Sequence, residues 1–178
     1  MKSITFIIIS LILFSCRDDS KVIKKEFDKS VVENQPSQIS YNFSVSFLDS
    51  NKKKAYLEAY RARIYDKEKQ TKLDSNVNVD FFSKENGKKV SNLKADSVLI
   101  DDKTQNMTAM GNVIVVSDTN KTTITTSILK WNDETRKLTS DKYVKIISPD
   151  QEIEGIGFES DEQLKNYTIY KVKGVKYK

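Results

Sequence analysis

From Ile39 to Phe47 large apolar and small polar side chains alternate. Ile39, Tyr41, Phe43, Val45 and Phe47 interleave with Ser40, Asn42, Ser44 and Ser46. A strand turns successive side chains to opposite faces, so this period of two predicts a strand with one apolar face. Asp49-Ser50-Asn51-Lys52 predicts a turn. Ala55 to Tyr65 resumes as a strand, with Tyr56, Tyr60 and Ile64 expected on one face. Val77 to Phe82 predicts another strand, and Asn86-Gly87 a hairpin, because both residues tolerate positive φ. Val90 to Ile100 follows, then a turn at Asp101-Asp102-Lys103-Thr104.

The pattern continues to the last residues. Met107 to Met110 leads through Gly111-Asn112 into Val113 to Val116, and Asp118-Thr119-Asn120 turns the chain. Thr122 to Trp131 is rich in β-branched residues, which favour strands. After Asn132-Asp133-Glu134, Leu138 and Tyr143 to Ile147 form the next pair, ended by Ser148-Pro149-Asp150. Ile153, Ile156 and Phe158 mark a further strand. Tyr167 to Tyr177 closes the series, with Tyr167, Ile169, Lys171 and Lys173 on one face and Thr168, Tyr170 and Val172 on the other. Strands at roughly 8–12-residue spacing, with no comparable 3.6-residue period, predict an all-β sandwich or barrel.

The first 38 residues follow other rules. Lys2 precedes an apolar run from Ile4 to Phe14, which ends at Leu13-Phe14-Ser15-Cys16. The run is about half the roughly 20 residues a bilayer-spanning helix needs, so it reads as a secretory signal. Leu three residues before a Cys, with Ser beside it, resembles a bacterial lipobox, in which cleavage precedes a cysteine that takes lipid. The expected organisation is a signal peptide over 1–15, lipidated Cys16 with a charged tether over 16–38, and a β-domain over 39–178. Within the tether, Val22, Ile23, Phe27 and Val31 allow a short amphipathic helix on the membrane, and disorder fits equally.

Composition narrows the chemistry. Cys16 is the single cysteine of 178 residues, so the domain must hold by packing without an internal disulfide. With no His, the commonest general base and zinc ligand are missing. No glycine-rich phosphate loop or HExxH-type motif is present. No cofactor or metal is expected, and a lysine or carboxylate enzyme stays open. Net charge is +5, which suits anionic partners such as phospholipid or lipid A phosphates, or simply lysines on solvated strand faces. Export makes nucleic acid an unsuitable partner.

One resemblance spans most of the chain. It rests on Pro36-Ser37-Gln38-Ile39-Ser40-Tyr41-Asn42-Phe43-Ser44-Val45, Val79-Asp80-Phe81-Phe82, Ala95-Asp96, Gly111-Asn112-Val113, Thr126, Leu129-Lys130-Trp131-Asn132, Ser140-Asp141 and Val144. Ile153-Glu154-Gly155-Ile156-Gly157-Phe158-Glu159-Ser160-Asp161, Leu164, Tyr167 and Ile169 complete it. In order and spacing these resemble the LptC family, the membrane-anchored periplasmic component of lipopolysaccharide export, here in a lipoprotein form. The resemblance implies a twisted, open antiparallel β-jellyroll of the OstA/LptA-like kind, whose apolar inner face takes the acyl chains of lipopolysaccharide. It implies that a C-terminal edge meets an LptA-type bridge protein, and an N-terminal edge the inner-membrane subunits LptF and LptG. ATP hydrolysis would belong to another, cytoplasmic subunit, so the resemblance implies that this chain is no enzyme. The implied place is the periplasmic face of the inner membrane, held by lipid on Cys16 where many members use a transmembrane helix.

Candidate residues follow. Phe43, Val45, Phe47, Val113, Val115, Ile124, Ile146 and Phe158 are expected inside, as packed core or as a lipid groove, and the resemblance favours the groove. Gly155, Gly157, Tyr167, Ile169 and Val172 are expected at the partner edge, the glycines at a bulge or turn needing positive φ. Trp131 is expected as a core anchor. Lys171, Lys173, Lys176 and Lys178 either face lipid A phosphates or form a solvated edge. The alternative function is a surface β-sandwich lipoprotein for a carbohydrate or protein partner, since Arg17-Asp18-Asp19-Ser20 after Cys16 resembles surface-sorting signals. An enzyme would need converging carboxylates, for which Asp80, Asp96 and Asp101 are the nearest candidates.

Overall fold

The computed structural model describes residues 35–178, and every helix or strand among them is a strand. The signal and tether readings, Cys16 included, therefore fall almost wholly outside the described residues. The strands are β1 (Gln38–Asp49), β2 (Lys52–Tyr65), β3 (Gln70–Phe82), β4 (Lys89–Asp101) and β5 (Met107–Ser117), then β6 (Thr123–Asn132), β7 (Lys137–Ile147), β8 (Gln151–Asp161) and β9 (Tyr167–Tyr177). They form one open antiparallel sheet in chain order, each strand paired with its sequence neighbours. The predicted turns sit between them. Ser50 and Asn51 both take positive φ, 49° and 66°, as a tight hairpin turn requires. Gly87 takes φ 68° and closes the β3–β4 loop by donating its N–H to the carbonyl of Ser83 at 2.9 Å.

Two elements differ from the prediction. Leu138 and Tyr143 to Ile147 belong to one strand, not two. The strand expected from Val77 begins at Gln70. Both strands are interrupted in the middle, and so is nearly every other one. Pairing registers slip between Glu58 and Arg61, Asp74 and Val77, Lys94 and Ser97, Met110 and Val113, Thr126 and Lys130, and Ser140 and Tyr143. Left-handed φ values occur alongside at Asn42, Ser75, Asn76, Gly111, Asn112 and Gly157. These irregularities line up across the sheet, and a line of bulges bends a sheet.

The bend folds the sheet over itself. Turns after β1, β3 and β5 lie on one rim of a meander, and turns after β2, β4 and β6 on the other. Contacts now join the rims. Phe81, next to the β3–β4 turn, packs on Trp131, next to the β6–β7 turn, with ring centroids 4.9 Å apart. Lys54 Nζ reaches Asp133 Oδ2 at 2.7 Å and Gln105 Oε1 at 2.8 Å. Arg136 Nη2 donates across to the Phe82 carbonyl at 2.8 Å, and along its own rim to Glu162 Oε1 at 3.0 Å. The apolar core lies between the two halves.

A bulge also shifts the side-chain phase, because an extra residue flips every later one to the other face. Inward positions run Ala55, Leu57 and Ala59 in β2, then switch parity to Ala62. In β4 they pass from Leu93 and Ala95 to Val98 and Ile100. The face expected to be shared by Tyr56, Tyr60 and Ile64 is therefore split by the bulge: Tyr56 and Tyr60 point outward, Tyr60 exposed, while Ile64 has the inward parity of Ala62. In β1 the alternation breaks at Asn42, whose φ is 52°. Ile39 and Tyr41 face solvent, 50% and 58% exposed, whereas Phe43, Val45 and Phe47 pack inside.

Candidate functional site

All eight residues expected inside lie on the inner face. Val113, Val115, Ile124, Ile146 and Phe158 are fully buried, Phe47 is nearly so, and Phe43 and Val45 are half-buried against the core at the β1 end. The sequence reading missed much of the remaining lining: Leu57, Val77, Leu93, Leu129 and Leu138 are also buried there. Leu57 stands between Tyr56 and Glu58, and the reading of β2 followed its tyrosines. Trp131 anchors the core as expected, at 3% exposure.

The inner face is closed rather than open. A void of about 10 Å³ remains among Val79, Phe81, Leu93, Val98, Trp131 and their neighbours, room for at most one water. A groove for acyl chains therefore requires the halves to part. Nothing charged lines this interior. Its buried polar groups sit at the rims or the bend and are satisfied: Ser91 Oγ donates to the Glu162 carbonyl at 2.6 Å, and Ser140 Oγ to that of Ile128 at 2.7 Å. Buried Glu162 is paired with Arg136 at 3.0 Å, and Lys54 with Asp133. Such a lining recognises apolar chains and holds no proton-transfer group.

The outer face carries the charge. A shallow cleft of about 950 Å³ follows the bend, lined by Arg61, Arg63, Asp74, Lys94, Asp96 and Asn112. Arg61 Nε and Arg63 Nη2 both hold Asp74, at 2.7 and 2.8 Å. Burial raises the Asp74 pKa, but these bonds and charges outweigh it and hold the carboxyl below its ordinary range. The acids weighed for catalysis do not converge. Asp80 is bound by Asn92 and Lys89, Asp96 by Asn112, and Asp101 accepts the turn amides of Lys103 and Thr104. No group of three or more potential metal ligands occurs among the described residues.

The sheet has two edges. Among the described residues, β1 pairs only with β2, and β9 only with β8. Val172 stands 55% exposed on β9, while Tyr167 and Ile169 of the same strand pack on the core. Gly155 and Gly157 lie in β8, one strand in from the edge, with Gly155 opposite Val172. Of the two, only Gly157 takes positive φ, 81°. Gly155 has a different reason to be glycine: an added Cβ would sit 2.6 Å from the Lys171 carbonyl oxygen. Lys171, Lys173 and Lys176 of β9 and Lys178 just after it are all exposed.

A closed apolar sandwich of sheet halves, with two edges unpaired among the described residues, admits several roles, and comparison with known proteins narrows them. The family model described as "Lipopolysaccharide-assembly, LptC-related" matches residues 3–178. The chain belongs to the LptC family. Membership brings a role in lipopolysaccharide transport in the periplasm, and the family's proteins are bridge components rather than enzymes. Among solved structures, the chain is similar to LptH from Pseudomonas aeruginosa, the LptA-homologous periplasmic component of the lipopolysaccharide transport device. Identity is 15% and the TM-score 0.47, over 77% of this chain and 83% of LptH. No curated protein matches the chain.

Proposed function

We propose that this LptC-family protein takes lipopolysaccharide from the inner-membrane ABC transporter and passes it to an LptA-type bridge protein. The acyl chains travel between the two sheet halves. Lipid on Cys16 holds the domain at the periplasmic face of the inner membrane. The β1 edge meets the LptF- and LptG-type subunits, and the β9 edge, with Val172, adds to a sheet of the bridge protein by strand addition. The observation that carries this reading is the apolar inner face. It extends from half-buried Phe43 and Val45 on one edge strand to Tyr167 and Ile169 on the other. An acyl chain gains about 0.8 kcal/mol for each CH₂ it buries, so a face without polar groups suffices to hold it.

Site-specific photo-crosslinking in cells making labelled lipopolysaccharide tests it. Phe43 and Val45 are the inward positions, because a bulky photo-reactive side chain fits there better than at fully buried Val115. Exposed Ser44 is the control. The expected result is an ATP-dependent lipid adduct from the inward positions and none from Ser44. The absence of any lipid adduct, with the protein at the cell surface, would leave the surface-lipoprotein reading in its place.

A further inference from the structure

The β8–β9 loop, Glu162 to Asn166, enters the interior. Leu164 is 0% exposed and belongs to the core. Every other fully buried large apolar side chain among the described residues comes from a strand. Leu164 also has φ 58°, a left-handed conformation that bulky residues avoid. A loop does not place a strained leucine in a core unless other contacts hold it there.

The polar contacts that hold the loop come mainly from the opposite rim. Three successive loop carbonyls accept side-chain bonds: Glu162 from Ser91 Oγ at 2.6 Å, Gln163 from Ser117 Oγ at 2.7 Å, and Leu164 from Asn120 Nδ2 at 2.8 Å. The Glu162 carboxylate adds the ion pair with Arg136 of the β6–β7 turn on its own rim. Internally, the Asp161 carboxylate collects the N–H groups of Gln163, Lys165 and Asn166, at 3.0, 3.0 and 3.3 Å. The loop is thus a preformed unit clipped across the rim by side-chain bonds. No strand ladder ties it down, so it can lift without unzipping the sheet.

We propose that this loop is a lid and that Leu164 occupies a seat for an acyl chain near the rim. Incoming lipid displaces Leu164 and the lid swings out, its strained φ relaxing. The proposal rests on the reading of the interior as the lipid path. It adds that the closed state is held by a competing side chain of the protein itself. Lipid affinity is then lowered by the fraction of molecules in which the lid is shut.

Two measurements test it on the full-length protein with purified lipid A. Hydroxyl-radical footprinting reads the exposure of the Leu164 side chain directly. Labelling of Leu164 is expected to rise severalfold when lipid A is bound, while strand-borne Leu138 stays protected. In Leu164→Gly, which keeps the left-handed turn and removes the plug, lipid A is expected to bind about tenfold more tightly. If lipid A changes labelling at Phe43 and Val45 but leaves Leu164 buried, and Leu164→Gly binds no more tightly, the lid is overturned and the transport reading stands. If lipid A changes labelling nowhere, both fall. Footprinting of the unaltered protein decides the matter even where the variant fails to fold.

Discussion

Gly111 shows what the bend demands of a single residue. Its φ is 76°, and an added Cβ would lie 2.4 Å from Asp96 Oδ2. Asp96 in turn accepts a bond from Asn112 Nδ2 at 2.9 Å, so the carboxylate has little freedom to move aside. Gly111→Ala is therefore expected to destabilise the domain by about 1–3 kcal/mol, read as a lower midpoint in thermal or chemical denaturation. Gly174→Ala, where an added Cβ meets nothing within 4 Å, is the matched control and should stay within about 0.5 kcal/mol. In the sequence Gly111-Asn112 could be read as a break between strands or as part of one. Both residues permit left-handed φ, but nothing local tells a turn from a mid-strand bulge. The choice lies with the partners: β4 and β6 pair with β5 on both sides of the break.

Among elements, β9 depends most on its one neighbour. At Gly155 an added Cβ would stand 2.4 Å from Ile169 Cγ2 and 2.6 Å from the Lys171 carbonyl oxygen, both on β9. Gly155→Ala thus pushes the edge strand away, because a backbone atom cannot rotate out of reach as a side chain can. Hydrogen exchange is the appropriate measurement. Amides of β9 are expected to exchange faster in Gly155→Ala, with β2 to β6 unchanged, and equal protection throughout would show that β9 is not seated by this contact. Strands and turns were the most legible features of the sequence, since alternation and turn chemistry act over a few residues. Facing was legible only up to each bulge. Ile39 and Tyr41 share their parity with Phe43, yet they face solvent because Asn42 redirects the strand.

For the molecule as a whole, carboxylates link stability to pH. Asp49 is held below its ordinary pKa first by a bond from Lys84, Asp101 by the amide of Thr104, and Asp141 by Lys142. Glu152 is held down by Lys145 and Glu159 by Lys137, while in Asp74 the two arginines outweigh burial. A carboxylate whose folded pKa is depressed stabilises the fold fully above its unfolded value, near 4. That stability is lost as pH falls through the folded value. The denaturation midpoint is accordingly expected to hold from neutral pH to about 5 and then to fall below 4. Asp74→Asn should flatten that drop. A midpoint unchanged down to pH 3 would mean that these pairs contribute nothing to the folded state.

Apolar alternation and turn residues were enough to give an all-β class, most strand positions and the candidate inner residues. These are local or compositional properties, and each is visible within a few residues. Three things became visible only in the folded chain: the line of bulges that folds the sheet, the closure of its inner face, and the burial of Leu164. Each depends on groups far apart in sequence, as when Ser91 meets Glu162 across 71 positions. A bulge costs local pairing, and only packing against the opposite half of the sheet repays it. No window of the sequence contains both sides of that balance.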